Sequence, residues 1–287
     1  RSIPTYRRAL CNYYHRHGID VTPNQIIVTT GGSEALQMAF TVCLNPGDEI
    51  IIPEPYYTNY NTFAKLCDAK IVTIPSDIKT GFALPPIEEF EKVITPRTKA
   101  IMICNPNNPT GYLYTHEELL KEAGLVKKYD LYLFADEVYR EFCYDGHKHF
   151  SVMQLEGLER NVILFDSVSK RYSACGARVG CMVTRNSEVY AIAMRLAQAR
   201  LSPPSFGQFF SEAAVNTPQE YFDGVYNEYI ARRNVIVEGV NKIPGCFCPM
   251  PKGAFYTVID LPVDDSDKFC QWRSRSEERR VGKECRS

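Results

Sequence analysis

Short apolar runs alternate with longer amphipathic stretches along most of the chain. The apolar runs, rich in β-branched residues, predict strands at 25–30, 49–52, 70–74, 99–104, 131–135, 162–165 and 179–184. Stretches with apolar residues at helical spacing predict helices at 34–44, 59–67, 87–93, 116–128 and 187–200. Strands that alternate with helices in this way are typical of an α/β fold with a largely parallel sheet.

The pattern changes after about residue 206. It is mostly helical through residue 241, and residues 253–259 (GAFYTVI) then predict a strand that opens a second domain. We therefore predict a large domain at 1–230 and the start of a small domain at 231–274.

The last thirteen residues, RSEERRVGKECRS at 275–287, show neither a helical nor a strand period. They resemble the translation of a common sequencing adapter, which predicts an artefactual tail on a truncated reading frame. The alternative interpretation is a disordered basic tail that binds an acidic partner.

Charge and cysteine usage narrow the class of protein. The chain has 33 Lys and Arg against 34 Asp and Glu, a net charge of −1 that argues against binding to nucleic acid or to a membrane surface. No apolar run approaches the roughly 18 residues of a membrane span. The eleven cysteines are scattered without a C-x-x-C motif, which favours reduced thiols in a cytoplasmic protein over a metal site or a disulfide framework.

Polar clusters follow several of the predicted strands, at the edge where open α/β sheets bind ligands. Gly31, Gly32, Ser33 and Glu34 come directly after a strand and open a helix. Free backbone N–H groups and the helix dipole predict a seat for a phosphate or another anion there. The motif is neither G-x-G-x-x-G nor a Walker loop, which disfavours NAD and ATP. The alternative is a tight turn that binds nothing.

Two further clusters follow the next strands. Residues 105–111 (NPNNPTG) predict a rigid turn whose asparagine amides are candidate hydrogen-bonding groups for a ligand, or else a bare loop. Asp136 and Glu137 come straight after an apolar strand, with Tyr139 close behind. A buried carboxylate without a partner is costly, so we expect a cation opposite one of the two. The alternative is a purely structural ion pair.

The fourth cluster holds a lysine. Lys170 ends the run DSVSK after a strand, and Arg178 follows eight residues later. A lysine at a buried strand end is a candidate Schiff-base nucleophile, although a single lysine is usually a solvated surface residue. The four clusters together are more informative than any one of them. A candidate anion site, an asparagine-rich turn, a carboxylate with a phenol, and a lysine with an arginine follow one another along the chain in that order.

This combination resembles the class I and II aminotransferases, which are pyridoxal 5'-phosphate enzymes of fold type I. The resemblance covers about residues 1–272 and rests on NPNNPTG, DEVY, and SVSK followed by R-x-G. It implies an α/β large domain, with a mostly parallel mixed sheet flanked by helices, and a truncated α+β second domain. The segments KRYSACGARVG and QARLSPP are similar to the corresponding segments of a bacterial subgroup of aspartate aminotransferases.

The resemblance implies three catalytic residues. Lys170 would hold the cofactor as a Schiff base and shuttle the proton at the substrate Cα. Asp136 would pair with the pyridinium nitrogen and keep it protonated, which makes the ring an electron sink. Tyr139, together with Asn108, would hydrogen-bond the phenolate oxygen of the ring.

The remaining cofactor contacts follow from the same resemblance. Gly32 and Ser33 at the helix start, with Ser167 and Arg178, would hold the phosphate, and arginine suits a bidentate contact. Tyr57 would stack on the pyridine ring. Its alternative role is packing in the core.

The substrate-binding groups are less complete. The arginine that binds the substrate α-carboxylate in the family would lie beyond Trp272, and a tyrosine that reaches the partner's phosphate would precede Arg1. Some aspartate-specific relatives have a lysine where this chain has Ser33, and others use a nearby arginine, for which Arg195 and Arg200 are candidates. We therefore expect the chain as printed to bind the cofactor weakly and to turn over aspartate negligibly.

The expected function is that of a cytoplasmic homodimeric aminotransferase with an amino acid and a 2-oxo acid as substrates, L-aspartate and 2-oxoglutarate first among them. The alternatives are an aminotransferase for aromatic or other amino acids, a pyridoxal-phosphate lyase, or a ligand-sensing domain, because the scaffold fixes the cofactor and not the reaction. We expect no metal, nucleic acid or membrane as partner.

Overall fold

A seven-stranded mixed sheet forms the centre of the molecule. The computed structural model describes residues 2–284, with side chains through residue 275. The strand order is β1-β7-β6-β5-β4-β2-β3, and β7 runs in the direction opposite to the other six strands. These strands are β1 (Ile26–Thr29), β2 (Glu49–Glu54), β3 (Lys70–Pro75), β4 (Thr98–Cys104), β5 (Tyr132–Asp136), β6 (Val162–Ser167) and β7 (Gly180–Val183). The predicted α/β class with a mostly parallel mixed sheet is confirmed.

Helices cover both faces of this sheet. They are α1 (Pro4–Arg16), α2 (Gly32–Cys43), α3 (Tyr60–Leu66), α4 (Ile87–Val93), α5 (His116–Tyr129), α6 (Val168–Arg171), α7 (Ser187–Arg200), α8 (Ser205–Ala214), α9 (Gln219–Asn241) and α10 (Ser266–Glu284). All seven predicted strands before residue 200 and all five predicted helices are present, with shifts of a few residues at their ends.

Side chains alternate between two cores on opposite faces of the sheet. In β4, Ile101 and Ile103 pack into one core, while Ala100 and Met102 pack into the other. Successive residues of a strand point to opposite faces, so a strand covered on both sides needs a continuous apolar run. This burial holds the carboxyl ends of the central strands in fixed positions.

The predicted strand at 253–259 is wrong. Within the described residues this segment makes one isolated bridge, Gly253 with Cys143, and it has no continuous partner strand; a second isolated bridge, Phe247 with Asp260, lies just beyond it. Phe255 instead packs its ring against Phe142 and Tyr229. The predicted domain boundary at residue 230 falls inside α9, and the division into domains stays a prediction.

The C-terminal stretch also differs from its prediction, because α10 continues as a helix to Glu284. Asp265 accepts a hydrogen bond from the Lys268 backbone N–H near the helix start. Arg, Glu and Lys have high helix propensity, so a helix can form here without an apolar stripe. The adapter origin of 275–287 stays a prediction, and residues 285–287 lie outside the described residues.

Candidate active site

A cavity of about 410 Å³ opens at the carboxyl ends of β4, β5 and β6. Its lining contains all nine residues to which the resemblance assigns a role: Gly32, Ser33, Tyr57, Asn108, Asp136, Tyr139, Ser167, Lys170 and Arg178. The other lining residues are Leu36, Tyr60, Cys104, Val138, Ser169, Cys175 and Tyr256. The chain thus brings the four polar clusters of the sequence into one place.

The turn from β1 into α2 forms one wall of the cavity. Gly31 has φ 79°, a left-handed conformation that glycine adopts without strain, and a Cβ there would lie 2.5 Å from Arg178 Nη2. A Cβ on Gly180 would lie 2.7 Å from the Gly32 backbone nitrogen. The two glycines therefore allow the Arg178 guanidinium and β7 to approach the first turn of α2. That arrangement of an arginine at a helix N-terminus suits a phosphate.

The Arg178 backbone is also unusual, with φ 52° in the left-handed region. Its side chain is held by a hydrogen bond of 2.9 Å from Nη1 to the Cys175 carbonyl oxygen. A non-glycine residue in this conformation carries a cost that the surrounding structure must offset, and such residues concentrate at functional sites. The strain is consistent with a guanidinium aimed at a ligand.

Lys170 lies on the short helix α6, directly after β6. Ser167 ends the strand, and its Oγ accepts a hydrogen bond of 3.1 Å from the Ser169 backbone N–H, which caps the helix. The Lys170 ammonium lies 5.9 Å from the centroid of the Phe255 ring. Among the described residues no carboxylate forms an ion pair with it, so its amine faces the cavity without a competing charge partner.

Asp136 ends β5 and is 6% exposed. Its Oδ2 accepts a hydrogen bond of 2.9 Å from the Tyr60 hydroxyl, and its Oδ1 accepts a longer one of 3.4 Å from the Val138 N–H. Burial raises the pKa of Asp136 to about 6, although both hydrogen bonds act in the opposite direction. In the described part of the chain no arginine, lysine or histidine pairs with this carboxylate.

The cation expected near the two carboxylates is Arg140, which pairs with Glu137. The Arg140 Nη2 to Glu137 Oε2 distance is 2.8 Å, and both side chains are buried. Arg140 Nη1 also donates to Asp166 Oδ2 at 3.1 Å. The ion pair is thus structural for Glu137, while Asp136 keeps an acceptor towards the cavity. A cationic group of a ligand fits there.

Two tyrosines and an amide meet on another wall. Asn108 Nδ2 donates to the Tyr139 hydroxyl at 3.3 Å, and this hydroxyl lies 3.1 Å from that of Tyr256. Burial raises the pKa of Tyr139 well above its ordinary value, so the hydroxyl keeps its proton. Tyr57 is half-buried, and its hydroxyl accepts a hydrogen bond of 2.6 Å from Asn59 Nδ2.

A network of buried charged side chains around Asp166 lies next to the cavity residues. Asp166 Oδ2 accepts from Arg140, from Arg171 and, at 2.9 Å, from the Tyr14 hydroxyl of α1. Its Oδ1 accepts from the Ser167 N–H at 2.7 Å. Burial opposes ionisation, but Arg171 and Arg140 hold the pKa of Asp166 below its ordinary value. This network fixes the residue before Ser167 and thereby the start of α6.

The two arginines considered for a substrate carboxylate do not line the cavity. Arg195 is exposed on α7. Arg200 Nε lies 2.8 Å from Glu34 Oε1, and its Nη2 donates to the Val28 carbonyl oxygen at 3.1 Å. Arg200 therefore ties the end of α7 to β1 and to the first turn of α2. The cations in the described lining are Lys170 and Arg178.

Three polar lining residues had no predicted role. Ser169 lies within the SVSK motif, and its place in that motif could have identified it as a lining residue. Tyr60 begins α3 at the same sheet edge, but a tyrosine at a helix start is no specific signal. Tyr256 reaches the cavity from a segment far along the chain, and this contact has no local sequence signature.

The comparisons with known proteins agree with this geometry. The family model for aminotransferase class I and II matches residues 1–274. The aspartate/prephenate aminotransferase of Cereibacter sphaeroides is 34% identical over 262 residues, which are 90% of this chain and 65% of that protein. The chain belongs to the class I and II aminotransferases, a family whose enzymes use pyridoxal 5'-phosphate.

Solved structures show the same fold. An alanine aminotransferase from Pyrococcus furiosus superposes with a TM-score of 0.86 at 34% identity, over 92% of this chain and 68% of that one. An aromatic aminotransferase from Pyrococcus horikoshii gives 0.84 at 28% identity, over 88% of this chain and 68% of that one. The chain spans about two thirds of these structures and 65% of the Cereibacter relative.

Across residues 2–284, no helix combines the length and apolar character that crossing a membrane requires.

Proposed function

We propose that the protein is a pyridoxal-phosphate-dependent aminotransferase with L-aspartate and 2-oxoglutarate as its substrate pair. The single observation that carries the assignment is the buried Asp136 carboxylate, which faces the cavity without a cation among the described residues. A protonated pyridine nitrogen supplies that cation. The amine of Lys170, the Arg178 guanidinium and the first turn of α2 line the same cavity and match the aldehyde and phosphate of the cofactor.

Each side chain has a distinct task in this proposal. When bound, the cofactor supplies an electron sink for the carbanion at the substrate Cα. Lys170 Nζ would hold the cofactor covalently in the resting protein, and once the substrate amine has displaced it, the freed amine would take the proton from the substrate Cα. Asp136 would keep a proton at the ring nitrogen, and Tyr139 with Asn108 would donate hydrogen bonds to the phenolate oxygen. These are the three catalytic residues, Lys170, Asp136 and Tyr139, with Asn108 in support.

The phosphate and the ring have their own contacts. Gly32 and Ser33 at the start of α2, with Ser167 and Arg178, bind the phosphate, where partial and full positive charges converge. Tyr57 covers one face of the ring. Its half-buried position in the cavity lining supports this role, and the ring also packs against the core beside Tyr60, with centroids 5.4 Å apart.

The choice of aspartate rests on the name of the Cereibacter relative, an aspartate/prephenate aminotransferase. A second candidate is an aromatic amino acid, because Tyr57, Tyr60, Tyr139 and Tyr256 line the cavity and its described cations are Lys170 and Arg178. An aspartate side chain needs a further cation, whereas an aromatic one packs on such rings.

We further propose a homodimer in the cytoplasm. Helix α8 exposes Phe206, Phe209 and Phe210, Leu201 directly after α7 is also exposed, and Phe206 is 92% exposed. An apolar patch of this kind marks an interaction surface, and a second copy of the chain would cover it. The ten described cysteines are free, which supports a reducing compartment.

Covalent labelling tests the cofactor assignment. The protein incubated with pyridoxal phosphate should absorb visible light, and borohydride reduction should place the label on Lys170, as read by peptide mass spectrometry. Lys170→Ala should lose the label, while Lys127→Ala, a change on the surface of α5, should keep it. A label on Lys127 or Lys148 instead would refute the assignment of Lys170 as the lysine that binds the cofactor.

The full-length protein, loaded with the cofactor in the same way, tests the substrate. Single-turnover mixing with aspartate, tyrosine, phenylalanine or alanine measures the 2-oxo acid formed from each. Aspartate should react faster than the aromatic amino acids. The opposite order would replace aspartate by the aromatic candidate.

A further inference from the structure

The hydroxyl of Tyr60 is a polar group of the cavity that the proposed mechanism leaves without a task. Tyr60 begins α3 and is fully buried, at 0% exposure. Its hydroxyl donates to Asp136 Oδ2 at 2.9 Å, across 76 positions of sequence. Both residues line the cavity. A buried tyrosine hydroxyl needs a partner, and here that partner is the carboxylate at the centre of the site.

This bond determines which oxygen of Asp136 remains available. Oδ2 is engaged by Tyr60, whereas Oδ1 has only the long 3.4 Å contact with the Val138 N–H. A carboxylate offers about four acceptor positions, so Oδ1 retains capacity for a further donor. Fixing Oδ2 also fixes the plane of the carboxylate.

The surroundings make this hydrogen bond the chief support of the charged carboxylate. Cys104 is the cross-strand neighbour of Asp136, and its thiol keeps its proton because burial raises its pKa. The other titratable groups that act on Asp136 or are affected by its charge are Tyr57, Tyr139, Glu137 and Asp166. Glu137 and Asp166 carry negative charge and disfavour ionisation of Asp136. None of these groups supplies a positive charge.

We propose that Tyr60 is a positioning residue of the site, whose hydroxyl holds Asp136 Oδ2 so that an ionised carboxylate presents Oδ1 to the ring nitrogen of the cofactor. The inference rests on the proposed function in one respect, namely that the group facing Oδ1 is the ring nitrogen of the cofactor. The link between Tyr60 and Asp136 is a property of the chain itself, and it can be tested without any cofactor.

The Tyr60 ring is held independently of its hydroxyl. It packs edge-on against Tyr57 and stacks with Tyr56 at a centroid distance of 6.2 Å. Tyr60→Phe therefore removes the hydrogen bond and leaves the packing in place. Tyr56→Phe is a matched control, because the Tyr56 hydroxyl donates to Asn61 Oδ1 in an exposed bond of 3.1 Å and does not line the cavity.

The first measurement is a pH titration of the Asp136 carboxyl carbon by NMR in cofactor-free protein, assigned with Asp136→Asn. The unchanged chain should titrate near the pKa of about 6. Loss of a hydrogen bond to the charged form should raise the Asp136 pKa in Tyr60→Phe by about one unit. Tyr56→Phe should leave it unchanged. Equal midpoints in Tyr60→Phe and the unchanged chain would overturn the proposal.

The second measurement is the affinity for pyridoxal phosphate as a function of pH. A pKa higher by one unit leaves Asp136 less ionised, so at pH 6 Tyr60→Phe should bind about fivefold more weakly than the unchanged chain. The difference should disappear by pH 8.5, where both carboxylates are ionised. A deficit that is the same at every pH would indicate only a structural role and would overturn the positioning role.

The two proposals fail in different ways. If borohydride does not place the label on Lys170 in the unchanged chain, the aminotransferase assignment fails. The NMR titration still decides whether Tyr60 controls Asp136. If the label is on Lys170 but the titrations coincide, the assignment stands and the role of Tyr60 is wrong.

Discussion

Glu122 of α5 is a carboxylate that the fold buries without a partner. The residue is fully buried, and neither of its oxygens has a hydrogen-bond partner among the described residues. Burial, with a smaller effect of the Glu118 charge, raises the pKa of Glu122 to about 8 from an ordinary value of 4.5. Between these two pKa values the folded protein binds more protons than the unfolded chain. The free energy of unfolding must therefore fall as the pH rises through this interval.

The size of the effect follows from the pKa difference. One pKa unit corresponds to about 1.4 kcal/mol, so this group destabilises the fold by about 1.5 kcal/mol at pH 5.5 and by about 4 kcal/mol at pH 7.5. Glu122→Gln removes the ionisation and keeps the shape. The stability gained by the variant should be larger at pH 7.5 than at pH 5.5 by about 2.5 kcal/mol. Burying the amide of the Glu122→Gln variant costs the same free energy at both pH values, so it does not contribute to this difference.

Urea unfolding followed by circular dichroism at both pH values measures this difference. Fluorescence is less suitable, because the single tryptophan, Trp272, is largely exposed. Glu117→Gln is the matched control on the same helix, since Glu117 is exposed and forms a surface ion pair with Lys121 at 3.0 Å. It should change stability by less than about 0.5 kcal/mol at either pH. Equal gains for Glu122→Gln at pH 5.5 and 7.5 would refute the reasoning.

Two further changes address the site. In the full-length protein, Asp136→Ala should lower the single-turnover rate with aspartate by roughly 100-fold or more while the borohydride label stays on Lys170; near-normal turnover would make Asp136 only structural. Gly180→Ala places a Cβ 2.5 Å from the Gly31 carbonyl carbon, so it should cost about 1–3 kcal/mol in urea unfolding and weaken cofactor binding. Gly176→Ala, with open space around its Cβ, should do neither, and equal behaviour of the two variants would contradict the close-approach argument.

The sheet could be predicted from the sequence because its strands are short and most of them are buried on both faces, the edge strand β3 being only partly buried. A strand buried on both faces gives a continuous apolar run, as in residues 99–104, and such a run can be identified without knowing its neighbours. Helix α1 could not be predicted in the same way, because its buried face gives no clear apolar pattern. Its buried face consists of Tyr6, Leu10, Tyr13 and Tyr14, and tyrosine is an ambiguous marker of burial. The spacing is helical, but the apolar signal is weak.

The candidate site was predictable where its residues directly follow strands. Asp136 and Ser167 end β5 and β6, and the parallel arrangement brings such ends to one edge. Contacts between distant segments left no such signal. Tyr60 reaches Asp136 and Tyr256 reaches Tyr139 only because the folded chain brings them together. The roles of all these residues stay predictions until the labelling and titration experiments are done.

The buried arginines leave Asp136, among three neighbouring carboxylates, without an ion pair among the described residues. Arg140 bridges Glu137 and Asp166, and Arg171 adds a second guanidinium to Asp166. Both arginine side chains are 2% exposed, so their charges are tied to these partners. The bridge also joins the end of β5 to the end of β6. It thereby fixes Asp136 and Lys170 relative to each other, while among the described residues no ion pair balances the negative charge of Asp136.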